Sequence, residues 1–246
     1  VPTEVLRRHD ARILYHDLFT NGIVYLDVAL DLRALPQDLL PYTALFNSAL
    51  LEMGTEAEDF VKLTQRIGRT TGGISPTIFT STVRETGEAA AYTVLRGKST
   101  VAQVNDLLAI LRDILLSVKL DNKPRFLQML LEKKAQEESG LVPMGHRVVA
   151  SRLRAKFGES YWVTEQTGGL AYLFFLRRLV QEVEDDWPAV LEKLERVRTL
   201  LIDRRAMVFN VTLDAENWSA VEPQLGEFVR ALPRSSGGHD GWGRTL

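Results

Sequence analysis

The chain has no cysteine, which excludes thiol catalysis, a disulfide framework and every thiolate zinc site, and fits a reducing compartment. It also lacks an excess of either charge: 30 lysines and arginines stand against 32 acidic residues, for a net charge of −2. That balance supplies no global field for gathering nucleic acid or an anionic membrane, and neither is expected as a partner. Long apolar runs are missing too. The longest, from Gly169 to Leu176, is far below the roughly 20 residues that span a bilayer. The chain opens at Val1 with no initiator methionine, charged leader or apolar signal core, so it is expected to be a piece of something longer. What it does have is 45% hydrophobic residues over 246 positions, enough for the core of one large domain or two small ones.

The order of elements follows from periodicity and turn chemistry. Arg12 to Asp17 and Gly22 to Leu32 read as strands, and Thr20-Asn21-Gly22 between them predicts a tight antiparallel hairpin. Asp38 is expected to cap a helix with Pro41 in its first turn, Leu39, Tyr42, Phe46, Ala49, Leu50 and Met53 as its buried stripe, and Gly54 as its end. Thr55 and Glu58 form a capping-box pattern for a helix to about Thr70, which Gly72-Gly73 break. Strands follow at about Ile74 to Arg84 and Ala90 to Lys98, joined by a turn at Glu85 to Glu88. From Val101 the leucine spacing turns helical, with breaks at Gly140, Pro143, Gly158 and Gly168-Gly169, and the last of these helices runs from Trp187 to Asp203. Met207 to Leu213 returns as a strand, and Asp214 caps a final helix through Leu232. This order predicts an α+β fold: a largely antiparallel sheet with helices packed on one face. Residues 1–232 are expected to form one α+β domain, and the glycine- and serine-rich residues 233–246 a linker or frayed C-terminal segment.

Candidate chemistry is sparse. His9, His16, His146 and His239 include no pair at the three- or four-residue spacing of a helical metal site, so isolated histidines are the simpler reading. Asp27 and Asp31 share a strand side but lie about 13 Å apart at strand rise, too far for a cooperating pair, and read as a solvated face. Arg147, Arg152, Arg154 and Lys156, with Phe157, Tyr161 and Trp162 nearby, give a locally basic helix that could hold an anion or RNA, or simply face water, which is the preferred reading. Gly68, Gly72 and Gly73 end a helix where a phosphate loop would begin one. Ser48, Ser75, Ser81 and Ser151 lack a GxSxG elbow or a neighbouring base. Leu45, Ser48 and Ala49 stand at i, i+3 and i+4 on a helix, the spacing of two metal ligands and a general base, yet carry no such chemistry.

The strings HDLFTNGIVYLDVALDL, LLEMGT, QRIGRTTGGISPTIFTSTV, GHRVVASRLRAKF and QTGGLAYLFFLRRL, in this order between about His16 and Leu232, resemble the presequence protease branch of the pitrilysin-type (inverzincin) zinc metallopeptidases. The resemblance is to the first domain of the C-terminal half, the peptidase-associated domain, and implies a pitrilysin-type α+β fold. Such enzymes enclose a chamber between two halves and carry H-x-x-E-H in the N-terminal half alone. The family spacing back from Gly54 sets Leu45 and Ala49 where the histidines would stand and Ser48 where the glutamate base would stand. Glu132 occupies a possible vestigial position of the third ligand. A zinc centre needs three protein ligands and an open position, so no metal or other cofactor is expected in this segment. Zinc is implied for the N-terminal half of the full-length enzyme. The implied role is that of a noncatalytic domain of a metalloendopeptidase that degrades short unfolded peptides, contributing chamber wall and an inter-domain interface. Its partners would be the remaining domains of the polypeptide and unfolded peptide substrates, in the cytoplasm of a bacterium or the mitochondrial matrix or plastid stroma of a eukaryote. The alternative is a stand-alone structural subunit pairing with a separate catalytic chain.

Overall fold

The computed structural model describes residues 1–234 and Trp242. Its strands are β1 (Glu4–Arg8), β2 (Ala11–Asp17), β3 (Ile23–Asp31), β4 (Ile74–Thr82), β5 (Ala89–Thr100) and β6 (Val208–Leu213). Between β3 and β4 lie α1 (Tyr42–Glu52) and α2 (Phe60–Thr70). After β5 come α3 (Val104–Ser117), α4 (Lys123–Gly140), α5 (Gly145–Arg154), α6 (Glu159–Gly168), α7 (Leu170–Asp185) and α8 (Trp187–Leu201), and α9 (Ala215–Ala231) follows β6. The fold is α+β. Its six strands form one sheet in the order β1-β2-β6-β3-β5-β4, antiparallel throughout except where β2 and β6 run parallel.

Period-2 burial fixes which face of the sheet is covered. Val24, Leu26, Val28 and Leu30 on β3, Ala11, Ile13 and Tyr15 on β2, and Phe209, Val211 and Leu213 on β6 are buried beneath the helices. Burying a side chain of this kind contributes roughly 1.5–3 kcal/mol, so the face is strongly specified. Helices α1 and α6 lie against β4, α3 and α6 against β5. Helix α9 closes the other end through Trp218, stacked on Tyr15 at 4.4 Å, and Phe228, edge-on to Phe209 at 6.0 Å. The opposite face keeps Tyr25, Asp27, Arg96, Lys98, Asn210 and Thr212 partly or fully exposed.

Four local expectations are corrected. β2 and β3 are no direct hairpin. Asn21 and Gly22 do turn the chain, at φ of 54° and 73°, and Ile23 N–H donates to Thr20 O at 3.2 Å, but β6 occupies the gap between the two strands. β1 is an additional strand, joined to β2 by His9 and Asp10, both in the left-handed region at φ of 49° and 72°. Asp38 lies in a separate 3-10 turn, and α1 begins at Tyr42 behind Pro41. The cap of α2 is Asp59, whose carboxylate accepts from Lys62 N–H at 2.9 Å.

Residues 233–246 fall largely outside the described residues, and His239 with them. Within that segment Pro233 O accepts from Arg204 N–H at 3.0 Å. Trp242 is buried, its ring 6.1 Å from that of Trp162 and its indole N–H donating to Leu35 O at 2.8 Å.

Candidate functional site

Helix α1 is the place where family chemistry would stand. Its buried residues, Tyr42, Thr43, Leu45, Phe46, Asn47, Ala49 and Leu50, run round the helix rather than along one stripe, as in a helix surrounded by its own fold. Asn47 fixes it to the sheet by accepting the Thr93 hydroxyl at 2.6 Å. Gly54, at φ +78°, ends the connection, and a Cβ there would lie 2.7 Å from Glu58 O. Arg125 on α4 secures the C-terminal end: its Nε donates to Glu52 O at 3.0 Å while the guanidinium sits 4.4 Å above the Phe60 ring.

Leu45 and Ala49 are fully buried and Ser48 is half-buried. Two alkyl side chains and one hydroxyl offer neither imidazole nor carboxylate to a metal. Glu132 lies on the exposed side of α4, accepting from Gln128 Nε2 at 2.9 Å, whereas the inward residues of α4 are Phe126, Met129 and Leu130. The fold does not assemble these positions into a donor set that fits zinc. Among the described residues no three His, Asp or Glu side chains gather as a metal site requires.

The other candidates are dispersed and engaged. His16 Nδ1 lies 3.0 Å from Pro2 O and its Nε2 2.7 Å from Asn210 Oδ1, while His9 sits in the turn at the far end of β2. Asp27 receives Asn210 Nδ2 at 3.3 Å and faces Arg96 at 3.7 Å. Asp31 instead accepts from Arg33 N–H at 2.9 Å, so the two carboxylates serve separate ends of β3. Gly72 N–H donates to Lys98 O at 2.7 Å, joining the end of α2 to the sheet. Two clefts are open. One of about 620 Å³ lies on the bare sheet face between Tyr25, Arg96, Lys98 and Asn210. The other, of about 710 Å³, lies between α4, α5, α6 and α7 and includes His146, Arg147, Ser151 and Arg154 in its walls.

One residue escaped sequence reasoning. Glu165 is fully buried at the back of the second cleft, where its carboxylate accepts from the Ser151 hydroxyl at 2.9 Å, Ala171 N–H at 3.1 Å and Arg152 Nη1 at 3.3 Å. It thereby satisfies a free N–H at the start of α7 and joins α5, α6 and α7. The adjacent Gly168-Gly169 pair was the available signal: a Cβ on Gly169 would lie 2.0 Å from Glu165 Oε2.

The family described as peptidase M16, subfamily C, associated matches residues 1–179. Presequence protease 1, chloroplastic/mitochondrial, of Arabidopsis thaliana is 39% identical over 247 residues that take in 100% of this chain and 23% of that protein. The mitochondrial presequence protease of Schizosaccharomyces pombe is 26% identical, over 88% of this chain and 22% of its own length. The chain thus spans less than a quarter of these relatives. Two solved structures share the fold at 15% identity. One is a peptidase M16 inactive domain from Pseudomonas fluorescens, with a TM-score of 0.64 over 96% of this chain and 52% of that one. The other is a ferredoxin protease in complex with Arabidopsis ferredoxin, with a TM-score of 0.60 over 97% and 24%. With a family match across most of its length and a relative aligned from end to end, the chain belongs to the family of domains associated with the M16 peptidases of subfamily C.

Proposed function

We infer that the chain is a noncatalytic domain of a longer, presequence-protease-like zinc metalloendopeptidase that degrades short unfolded peptides, and that it supplies chamber wall and an interface to the remaining domains. The observation that carries this reading is the end-to-end alignment with a presequence protease of which the chain represents 23%. The burial of Leu45 and Ala49 supports it, since a helix that had kept its chemistry would need that face open to water and substrate. Zinc would be held by the other half of the polypeptide, because the residues at the corresponding positions here do not fit the metal. Short, unfolded peptides are the substrate class, selected by confinement in the chamber. The relatives are named as mitochondrial and as chloroplastic/mitochondrial, which supports the matrix or stroma if the source is eukaryotic; in a bacterium the enzyme would be cytoplasmic.

Metal analysis and a fluorogenic peptide assay on the purified chain test the reading. The expected result is no stoichiometric zinc and no hydrolysis above buffer. Stoichiometric zinc together with chelator-sensitive turnover would overturn it.

A further inference from the structure

Helix α5 is the least covered element of the fold. None of its residues is buried. Val149 is 59% exposed, Leu153 54% and Phe157 82%, and Val142 and Met144 just before the helix are exposed as well. At 3.6 residues per turn His146, Val149 and Leu153 fall on one line, which Phe157 extends through the turn closed by its N–H to Arg154 O at 2.8 Å. Arg147 and Arg154 flank that line on one side, Arg152 and Lys156 on the other. The opposite side is anchored to the protein, through the buried Ala155 and through Ser151 on Glu165. Arg154 and Lys156 have no acidic partner among the described residues, while Arg152 is shared with Glu165.

An outward apolar stripe between two cationic rims is a surface that lacks its counterpart. We propose that the stripe Val149, Leu153 and Phe157 seats another segment of the same longer polypeptide, one with an apolar centre and carboxylates along both rims. This rests on the function inferred above and names one inter-domain contact that the function requires. The occupant follows from two facts. More than three quarters of the Arabidopsis relative lies outside the part matched by this chain, so most of such a polypeptide is available to cover α5. The rims are cationic on both sides, which selects carboxylates and disfavours a neutral or basic surface. A nucleic acid would answer the cations but not the apolar line between them. A bilayer would need more insertable surface than three side chains give, because interfacial binding scales with buried apolar area.

The absence of native cysteine makes the test direct. Leu153→Cys, and separately Val149→Cys, is alkylated with a maleimide in this chain and in the longer polypeptide that contains it, with rates read by peptide mass and normalised to the urea-unfolded protein. The expected result is rapid alkylation in the chain and alkylation slowed at least about tenfold in the longer polypeptide. Adding Arg154→Glu and Lys156→Glu should bring the rate in the longer polypeptide back toward that of the chain. Equal rates in the two proteins would overturn the proposal. So would slowing of the chain alone by phosphatidylcholine/phosphatidylglycerol vesicles, which would make the seat a lipid surface, or by its own rising concentration, which would make it a self-interface. Zinc-dependent turnover measured on the same longer polypeptide separates the two ideas. Turnover with unslowed alkylation sinks the seat and leaves the function standing, whereas slowed alkylation without turnover supports the seat and sinks the function.

Discussion

Glu165 stabilises the helical layer through contacts that only a buried carboxylate can make. The Ser151 hydroxyl, the Arg152 guanidinium and Ala171 N–H all converge on it. Glu165→Ala would strand these donors away from water, and we expect a loss of about 2–4 kcal/mol, visible as a lower urea midpoint with an unchanged slope. Glu165→Gln keeps an acceptor and should lose less. Tyr172 is the reverse case, since its buried hydroxyl has no hydrogen-bond partner among the described residues. Burial pushes its phenol well above the usual tyrosine range, with the charge of Glu137 adding to the effect. A raised folded-state value contributes stability that is fully present below the unfolded value near 10 and is lost as pH rises past it, because the unfolded chain then releases a proton the folded chain keeps. Tyr172→Phe should therefore be neutral or stabilising near pH 7 and should flatten the alkaline decline in unfolding free energy. Neither residue was legible in the sequence. A lone glutamate or tyrosine in a helix reads as surface or generic core until the neighbouring helices are in place. Leu45, Ser48 and Ala49 were legible because their meaning is a local spacing.

At the scale of elements, local signals located the secondary structure better than its caps. The hairpin of β4 and β5, the leucine-rich α3 and the Asp214 cap of α9 all follow from patterns confined to a few residues. The capping-box pattern of Thr55 and Glu58 fails for a tertiary reason. The Glu58 carboxylate is taken by Arg66 at 2.7 Å, and the same guanidinium reaches Asp113 on α3 at 2.9 Å, so the box is given up for a bridge between helices. The cap then passes to Asp59. Thr55 keeps a buried hydroxyl without a partner among the described residues. Asp59→Ala should cost about 1 kcal/mol in urea unfolding, and Thr55→Ser, which keeps the unpartnered hydroxyl, clearly less. A larger loss at Thr55 would show that the box forms after all. β1 escaped notice because its run EVLRR is an exposed edge strand without the alternation that a buried face imposes.

At the scale of the whole molecule, the least legible feature is the position of β6. An Asn-Gly turn signals that the chain reverses, and that signal is the same whether the two strands touch or leave room for a third. Here the gap is filled by residues 208–213, from the far end of the chain. Asn210 stands opposite Leu14 on one side and Asp27 on the other, and its side chain links His16 to Asp27 across three strands. The family match stops at residue 179, short of this strand, yet the sheet cannot be continuous without it. A chain ending at Arg205 would leave β2 and β3 with facing unpaired edges and would remove Phe209, Trp218 and Phe228 from the core. That truncation should lose the cooperative urea transition and bind a hydrophobic dye, because the missing strand lies in the interior of the sheet and not at its border. A sharp transition with the slope of the whole chain would show that β2 and β3 can close on each other, and that the late strand decorates a sheet it does not complete.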